Sequence, residues 1–340
     1  MKRFLITVVC VLLACTLVPA QDNNNINFGY KSFAINNKKL GKILYHISAE
    51  GIDQKKPVIL YLDGSGPYPL FQHMTRGTGT TVPLSVKELS KKYHLVLISK
   101  PGVPLADSVT MDAATGIPLY QAPEEYTKRL SLEWRVEAAN LVLKEIREKF
   151  AVDTSRIALL GISEGFQVGA KLLSVNKSVT HAMLLAGNGL NQLFDFIIFN
   201  RMQAAAGKIS REQAQQNIDS LYSDYKKIYA EPTATDKTWY GHSYKRWADF
   251  SNTIPLDNLM QTNIPVLVVA ASEDENTTVL SADYIQLESI RRGKKNIDFK
   301  VYPYTHSFSE KVTDANGQTT HMKNHLSEVM KDTLDWLEKM

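Results

Sequence analysis

The sequence predicts an α/β protein: an eight-stranded, mostly parallel sheet, flanked by helices and carrying a helical insertion. Three observations predict it. Short apolar, β-branched runs recur along the chain, separated by longer helical patterns. The later runs are almost continuously apolar, as in strands covered on both faces. The alternation breaks once, after Gly187, and resumes near Pro255.

The first twenty residues stand apart. Lys2 and Arg3 precede an apolar run over residues 4–18, and Val18-Pro19-Ala20 offers the small residues of a cleavage site. This pattern predicts a secretory signal over residues 1–20, too short for a comfortable membrane span. Cleavage removes Lys2 and Arg3 and takes the formal charge from +4 to +2. It also removes Cys10 and Cys15, the chain's 2 cysteines, leaving no disulfide or thiolate chemistry. "LLAC" at residues 12–15 is similar to a lipoprotein box, which would instead place a lipid anchor on Cys15. The protein is expected to be exported, either periplasmic or secreted, with a lipid-anchored form as the alternative.

Candidate strands follow at residues 30–35, 42–47, 58–62, 95–99, 157–160, 181–185, 266–270 and 298–302. The first two flank the turn "INNKK" and read as an antiparallel hairpin. The clearest helix carries Leu132, Val136, Ala139, Leu143, Ile146 and Phe150 on one stripe. Residues 188–254 hold no good strand but 11 of the chain's 31 aromatics, where an even spread gives about 6. Within them, Ser210 and Gln213 form a capping-box pair at the start of a helix. The expected organisation is a core of residues 21–187 and 255–340, roofed by a helical cap over 188–254.

"GISEG" at residues 161–165 lies between a strand and a helix. A serine between two glycines at that place suits a tight turn that lifts the hydroxyl above the sheet edge, with helix N–H groups behind it. Ser163 is therefore the candidate nucleophile.

A serine hydroxyl needs a base. Of the histidines, His306 is best placed, in the loop "PYTHSF" after the last strand. His181 reads as a packed residue. His321 and His325 read as i, i+4 neighbours on a solvated face of the last helical segment. The base in turn needs a carboxylate. Asp274, in "ASEDENTT" after a core strand, is preferred, with Glu273 and Glu275 as alternatives. Oxyanion donors are expected from the backbone N–H of Glu164 and, in "ILYLDGSGPYP", from Ser65 or alternatively Gly66. In the cap, Trp239, Tyr240, His242 and Tyr244 are candidate substrate contacts.

Together these segments resemble the α/β-hydrolase family of serine hydrolases, from about Phe28 onward. "YLDGSGP" is similar to the family's oxyanion loop, "GISEG" to its nucleophile elbow, "AASEDENTT" to its acid loop and "YPYTHSF" to its histidine loop. The Ser-Glu-Gly variant is closest to the esterase and acylaminopeptidase-like branches, with no room for a β-propeller. Asp63 stands where the family usually has His, Ile162 where it often has His, Phe166 in place of a common Gly and Pro101 in place of a frequent Arg.

With the leader pattern, the resemblance implies an exported serine hydrolase acting on a carboxylic ester through Ser163, His306 and Asp274. It implies no metal or organic cofactor. The alternatives are amide or thioester cleavage, or acyl transfer, by the same residues, and a non-catalytic binding protein on a hydrolase scaffold. No basic run interleaved with aromatics marks a nucleic-acid surface, and no membrane partner is expected beyond the possible anchor at Cys15.

Overall fold

The structure is a computed structural model that describes residues 26–75, 77–112, 118–314 and 318–340. The expected signal over residues 1–20, with Cys10 and Cys15, lies outside the described residues.

Eight strands form the main sheet: β1 (Tyr30–Asn37), β2 (Gly41–Ser48), β3 (Lys56–Leu62), β4 (His94–Ile98), β5 (Val152–Ile162), β6 (His181–Leu185), β7 (Val266–Ala271) and β8 (Ile297–Tyr302). Each grows from one of the apolar runs in the sequence. Their spatial order is β1-β2-β4-β3-β5-β6-β7-β8, and a two-residue strand, Ile26–Asn27, extends the β1 edge. β1 pairs with β2, and β2 with β4, antiparallel. All later neighbours are parallel.

The principal helices are α1 (Leu132–Lys149), α2 (Glu164–Val175), α3 (Gln192–Ala205), α4 (Arg211–Ala230), α5 (Tyr244–Phe250), α6 (Val279–Arg291) and α7 (Leu326–Lys339). Along β3, Val58, Leu60 and Leu62 join the core that includes α1 and α2, while Ile59 and Tyr61 join the core that includes α7. This is the two-residue alternation of a strand covered on both faces. Ser131 starts α1 by accepting the Trp134 N–H at 3.0 Å. From there Leu132, Val136, Ala139, Leu143 and Ile146 are buried, each large side chain contributing roughly 1.5–3 kcal/mol. Arg135 is buried on the same helix.

Between β6 and β7 the chain makes α3, α4, a small hairpin (Thr238–Trp239 with His242–Ser243) and α5. Ser210 caps α4 through the Gln213 N–H at 3.0 Å. Leu193, Leu221, Tyr225, Ile228 and Trp247 give this segment its own small core. The two-residue strands were too short to show in the sequence pattern.

The histidine pair near the chain's end needs correcting. Ser309–Thr313 and Thr319–Asn324 pair as antiparallel strands, so exposed His321 sits on the second of them. His325 precedes α7, bonded to Glu310 and Glu328. The helix begins only at Leu326, whose N–H is taken by the Asn324 side chain, so the two histidines share no helix face.

Among the described residues, no helix is long and apolar enough to cross a membrane, and no cluster of three or more His, Cys, Asp or Glu side chains is placed to hold a metal.

Candidate active site

Ser163 is the single residue between β5 and α2, with φ 56° and ψ −119°. Such a backbone is costly for a residue with a Cβ, about 1–3 kcal/mol, and persists only where its surroundings force it. Two glycines force it here. A Cβ on Gly161 would lie 2.3 Å from the Gly165 carbonyl oxygen, and one on Gly165 would lie 2.0 Å from that of Leu62. The Ser163 N–H donates to Leu185 at 3.0 Å, and its carbonyl accepts the Phe166 N–H at 2.9 Å. The hydroxyl is thereby fixed at the carboxyl end of the sheet, at the N-terminus of α2.

Two loops bring partners to it. His306 Nε2 lies 3.0 Å from Ser163 Oγ, and His306 Nδ1 lies 2.8 Å from Asp274 Oδ2. A carboxylate only accepts, so Nδ1 carries the proton and Nε2 is left to accept from the serine. Asp274 is held in turn. Its Oδ1 accepts the N–H groups of Asn276 and Thr277, and its Oδ2 accepts the Thr277 hydroxyl, each at 2.8 Å. Glu273 and Glu275, the alternatives, are exposed. Glu275 reaches only the backbone N–H of His306, at 3.4 Å. No other histidine among the described residues bonds Ser163. His46 is shared between Ser32 and Ser99, and burial lowers it to about 4. His181 starts β6, beside Thr180.

The oxyanion candidates lie in two segments that meet beneath Ser163. Ser65 and Glu164 both line the cavity over the serine, and neither backbone N–H bonds another group among the described residues. Gly66, with φ 89°, turns the loop and is not part of that lining.

A buried ionic cluster, which the sequence reading missed, joins these segments. Arg135 donates from Nη2 to Asp63 Oδ1 at 2.6 Å, and from Nη1 to the Asp63 carbonyl at 3.0 Å and to Glu164 Oε1 at 2.7 Å. Lys100 completes Asp63 at 2.5 Å, and Arg246 of α5 bonds Glu164 from the other side. Burial alone would raise the Glu164 carboxyl, but Arg246, Arg135 and Lys100 bring it down to about 2. One guanidinium therefore braces both the Ser65 loop and the residue after the nucleophile. A signal was present in the sequence: Arg135 falls within an apolar helical face, where a charge is buried only if paired.

The cavity encloses about 920 Å³ and is lined by core and insertion residues. Tyr240 and His242 line it, whereas Trp239 and Tyr244 do not. Those two pack into the insertion's own core, and the Trp239 indole N–H is taken by Asp224 at 3.2 Å. Trp247, another of the insertion's aromatics noted in the sequence, lines the cavity, as does Phe196, which was not singled out. Burial, then Arg246, lowers His242 to about 4, so its ring is neutral at pH 7.

No protein-family model matches the chain, and no curated protein matches it. Solved structures do. The acylaminoacyl peptidase of Pyrococcus horikoshii matches over 91% of this chain and 40% of its own, with a TM-score of 0.54 and 14% identity. Dipeptidyl peptidase 4 of Porphyromonas gingivalis matches over 91% and 35%, with a TM-score of 0.52 and 12% identity. Est1E from Butyrivibrio proteoclasticus matches over 91% and 98%, with a TM-score of 0.51 and 11% identity. The chain thus spans less than half the length of the two peptidases and nearly all of Est1E. At these identities the likeness concerns the fold. With the strand order and the turn at Ser163, it establishes that the chain has the α/β-hydrolase fold.

Proposed function

We propose that this protein is a serine hydrolase that cleaves carboxylic esters through an acyl-enzyme. The observation that carries the reading is the unbroken relay from Ser163 Oγ through His306 to Asp274, at 3.0 and 2.8 Å. Ser163 Oγ attacks the ester carbonyl carbon as His306 Nε2 takes its proton. The N–H groups of Ser65 and Glu164 hold the oxyanion, each such donor contributing roughly 3–4 kcal/mol to the transition state. His306 then protonates the leaving alcohol as the tetrahedral intermediate collapses. Water, deprotonated by His306, attacks the acyl-Ser163 carbonyl, and the acid leaves with the serine regenerated.

The reading includes export, which rests on residues 1–20; a lipid anchor at Cys15 is its alternative form. Likeness in fold to two peptidases supports a second reading, in which the bond cleaved is an amide. Matched ester, amide and thioester substrates separate the two. Ser163→Ala is expected to lower ester hydrolysis by about 10⁴-fold or more and to abolish labelling by a fluorophosphonate. Full activity in the purified variant would overturn the mechanism.

A further inference from the structure

The cavity over Ser163 is rich in polar groups and poor in free charge. Arg246 is spent on Glu164 and on Gln192 Oε1, at 2.8 Å. Asp224 is spent on Lys227 at 2.8 Å and on the Trp239 indole. Glu275 sits beside the His306 backbone, next to the chemistry. Besides Asp195, the charged insertion residues of the lining are thus already paired.

Asp195, in the first turn of α3, is different. It is 5% exposed and lines the cavity. Its Oδ2 accepts from Asn188 Nδ2 at 2.5 Å, and Asn188 is itself fixed by Gln167 at 2.7 Å. Its Oδ1 is buried with no partner. Burial first, and then the nearby Asp274 charge, raise this carboxyl to about 8 against the pull of Asn188 and, more weakly, of the Ser281 hydroxyl. A protonated carboxyl both donates and accepts, which suits a hydroxyl. An apolar ligand would leave such a group without a partner in the cavity.

The rest of the lining has the same character. Gln192, Asn200 and Asn217 present uncharged amides, while Phe196, Phe199 and Trp247 present ring faces. Asn200 and Asn217 bond each other and also Phe196 and Gln213, and Gln192 Oε1 accepts from Arg246, but Gln192 Nε2 bonds nothing else among the described residues, so a long acyl chain would desolvate it without pairing it. A ring bearing several hydroxyls satisfies both, with its C–H face against aromatics and its edge against amides and the carboxyl. The volume is at the upper end for a small-molecule site.

We propose that the cavity takes an ester of a polyhydroxylated, carbohydrate-like molecule, with Asp195 reading one hydroxyl. This substrate class rests on the serine hydrolase reading above, but binding tests it separately. Ser163→Ala protein would be titrated with mono-O-acetylated methyl xyloside and with ethyl octanoate, by calorimetry. The xyloside is expected to bind more tightly. Adding Asp195→Ala should weaken it at least about tenfold, and adding Asp195→Asn, which keeps a donor and an acceptor, by less than about threefold. Phe199→Ala, at an accessible ring, should weaken it about fivefold and serves if Asp195→Ala does not fold. With active protein, Asp195→Ala should lower the kcat/KM ratio of xyloside ester to 4-nitrophenyl acetate at least about tenfold.

Tighter binding of ethyl octanoate, or equal loss on both ligands, would overturn the proposal. Asp195-dependent binding without hydrolysis of any ester would leave the proposal standing and sink the hydrolase reading. Hydrolysis with no preference for the xyloside would do the reverse.

Discussion

Arg246 meets Glu164 through two hydrogen bonds on one carboxylate oxygen, 2.5 Å from Nη2 and 3.2 Å from Nε. Arg246 belongs to the insertion, and Glu164 is the residue after Ser163. The bond therefore ties the roof of the cavity to a backbone N–H proposed to hold the oxyanion. Arg246 is sandwiched between the Trp247 and Phe250 rings, 4.4 Å from each centroid, which fixes its direction.

Arg246→Ala should impair both stability and turnover. Breaking a buried ion pair leaves a carboxylate partly uncompensated, at about 3–5 kcal/mol. Glu164 keeps Arg135, so the lower end is expected. Loosening of the N–H donor should lower kcat roughly 10²-fold, with a smaller change in KM. Arg246→Lys should recover part of kcat. A folded Arg246→Ala protein with unchanged kcat would show that the pair does not position the donor.

Two glycine substitutions should separate crowding from backbone conformation. In Gly165→Ala the new methyl meets the Leu62 carbonyl, which cannot swing aside as a side chain can. We expect a loss above about 3 kcal/mol, or no folded protein. Gly207 has φ 70° but open space around it, so Gly207→Ala should cost only about 1–2 kcal/mol. Melting curves decide the matter, and a Gly165→Ala protein as stable as Gly207→Ala would refute the account of the turn.

Asp195 should make stability depend on pH in a direction opposite to ordinary acid denaturation. Its folded pKa is raised to about 8 from 3.8. Between these values the unfolded chain has lost the proton and the folded protein keeps it. Stability therefore falls as pH rises, by on the order of 1.4 kcal/mol per unit at most. Asp195→Asn removes this dependence while still accepting from Asn188. Its advantage in melting temperature should grow from pH 5 to pH 8, and a constant gap would contradict it.

Much of this architecture was legible because its signals are local. All eight main strands announce themselves as apolar runs, and the requirement for glycine at positions 161 and 165 follows from the turn alone. The placing of Asp274 and His306 followed from their loops after core strands. The choice of Asp274 over its acidic neighbours was less legible, because it depends on Asn276 and Thr277 turning back toward it. The ionic cluster was not legible at all, since Asp63, Lys100, Arg135, Glu164 and Arg246 come from five separate segments. Nor does aromatic content say which rings face a cavity. Trp239 and Tyr244 seal the insertion, while Trp247 lines the cavity, and that division is set by how α4 and α5 pack.

The buried cluster also has an arithmetic. Lys100, Arg135 and Arg246 bring three positive charges, and Asp63 and Glu164 bring two negative ones. Burial, the largest influence on Lys100, pushes its ammonium pKa down, a sign of the cost of holding this excess out of water. The cluster itself carries one more positive charge than negative, and an oxyanion on the N–H groups of Ser65 and Glu164 would lie against that excess while the Asp274 carboxylate pairs with the His306 imidazolium. An anionic phosphonate on Ser163 should thus raise the melting temperature more than an uncharged carbamate there, and equal shifts would disconnect the cluster from the oxyanion. On this reading the cluster is left electrostatically incomplete in the ground state, and the oxyanion of the reaction intermediate completes it.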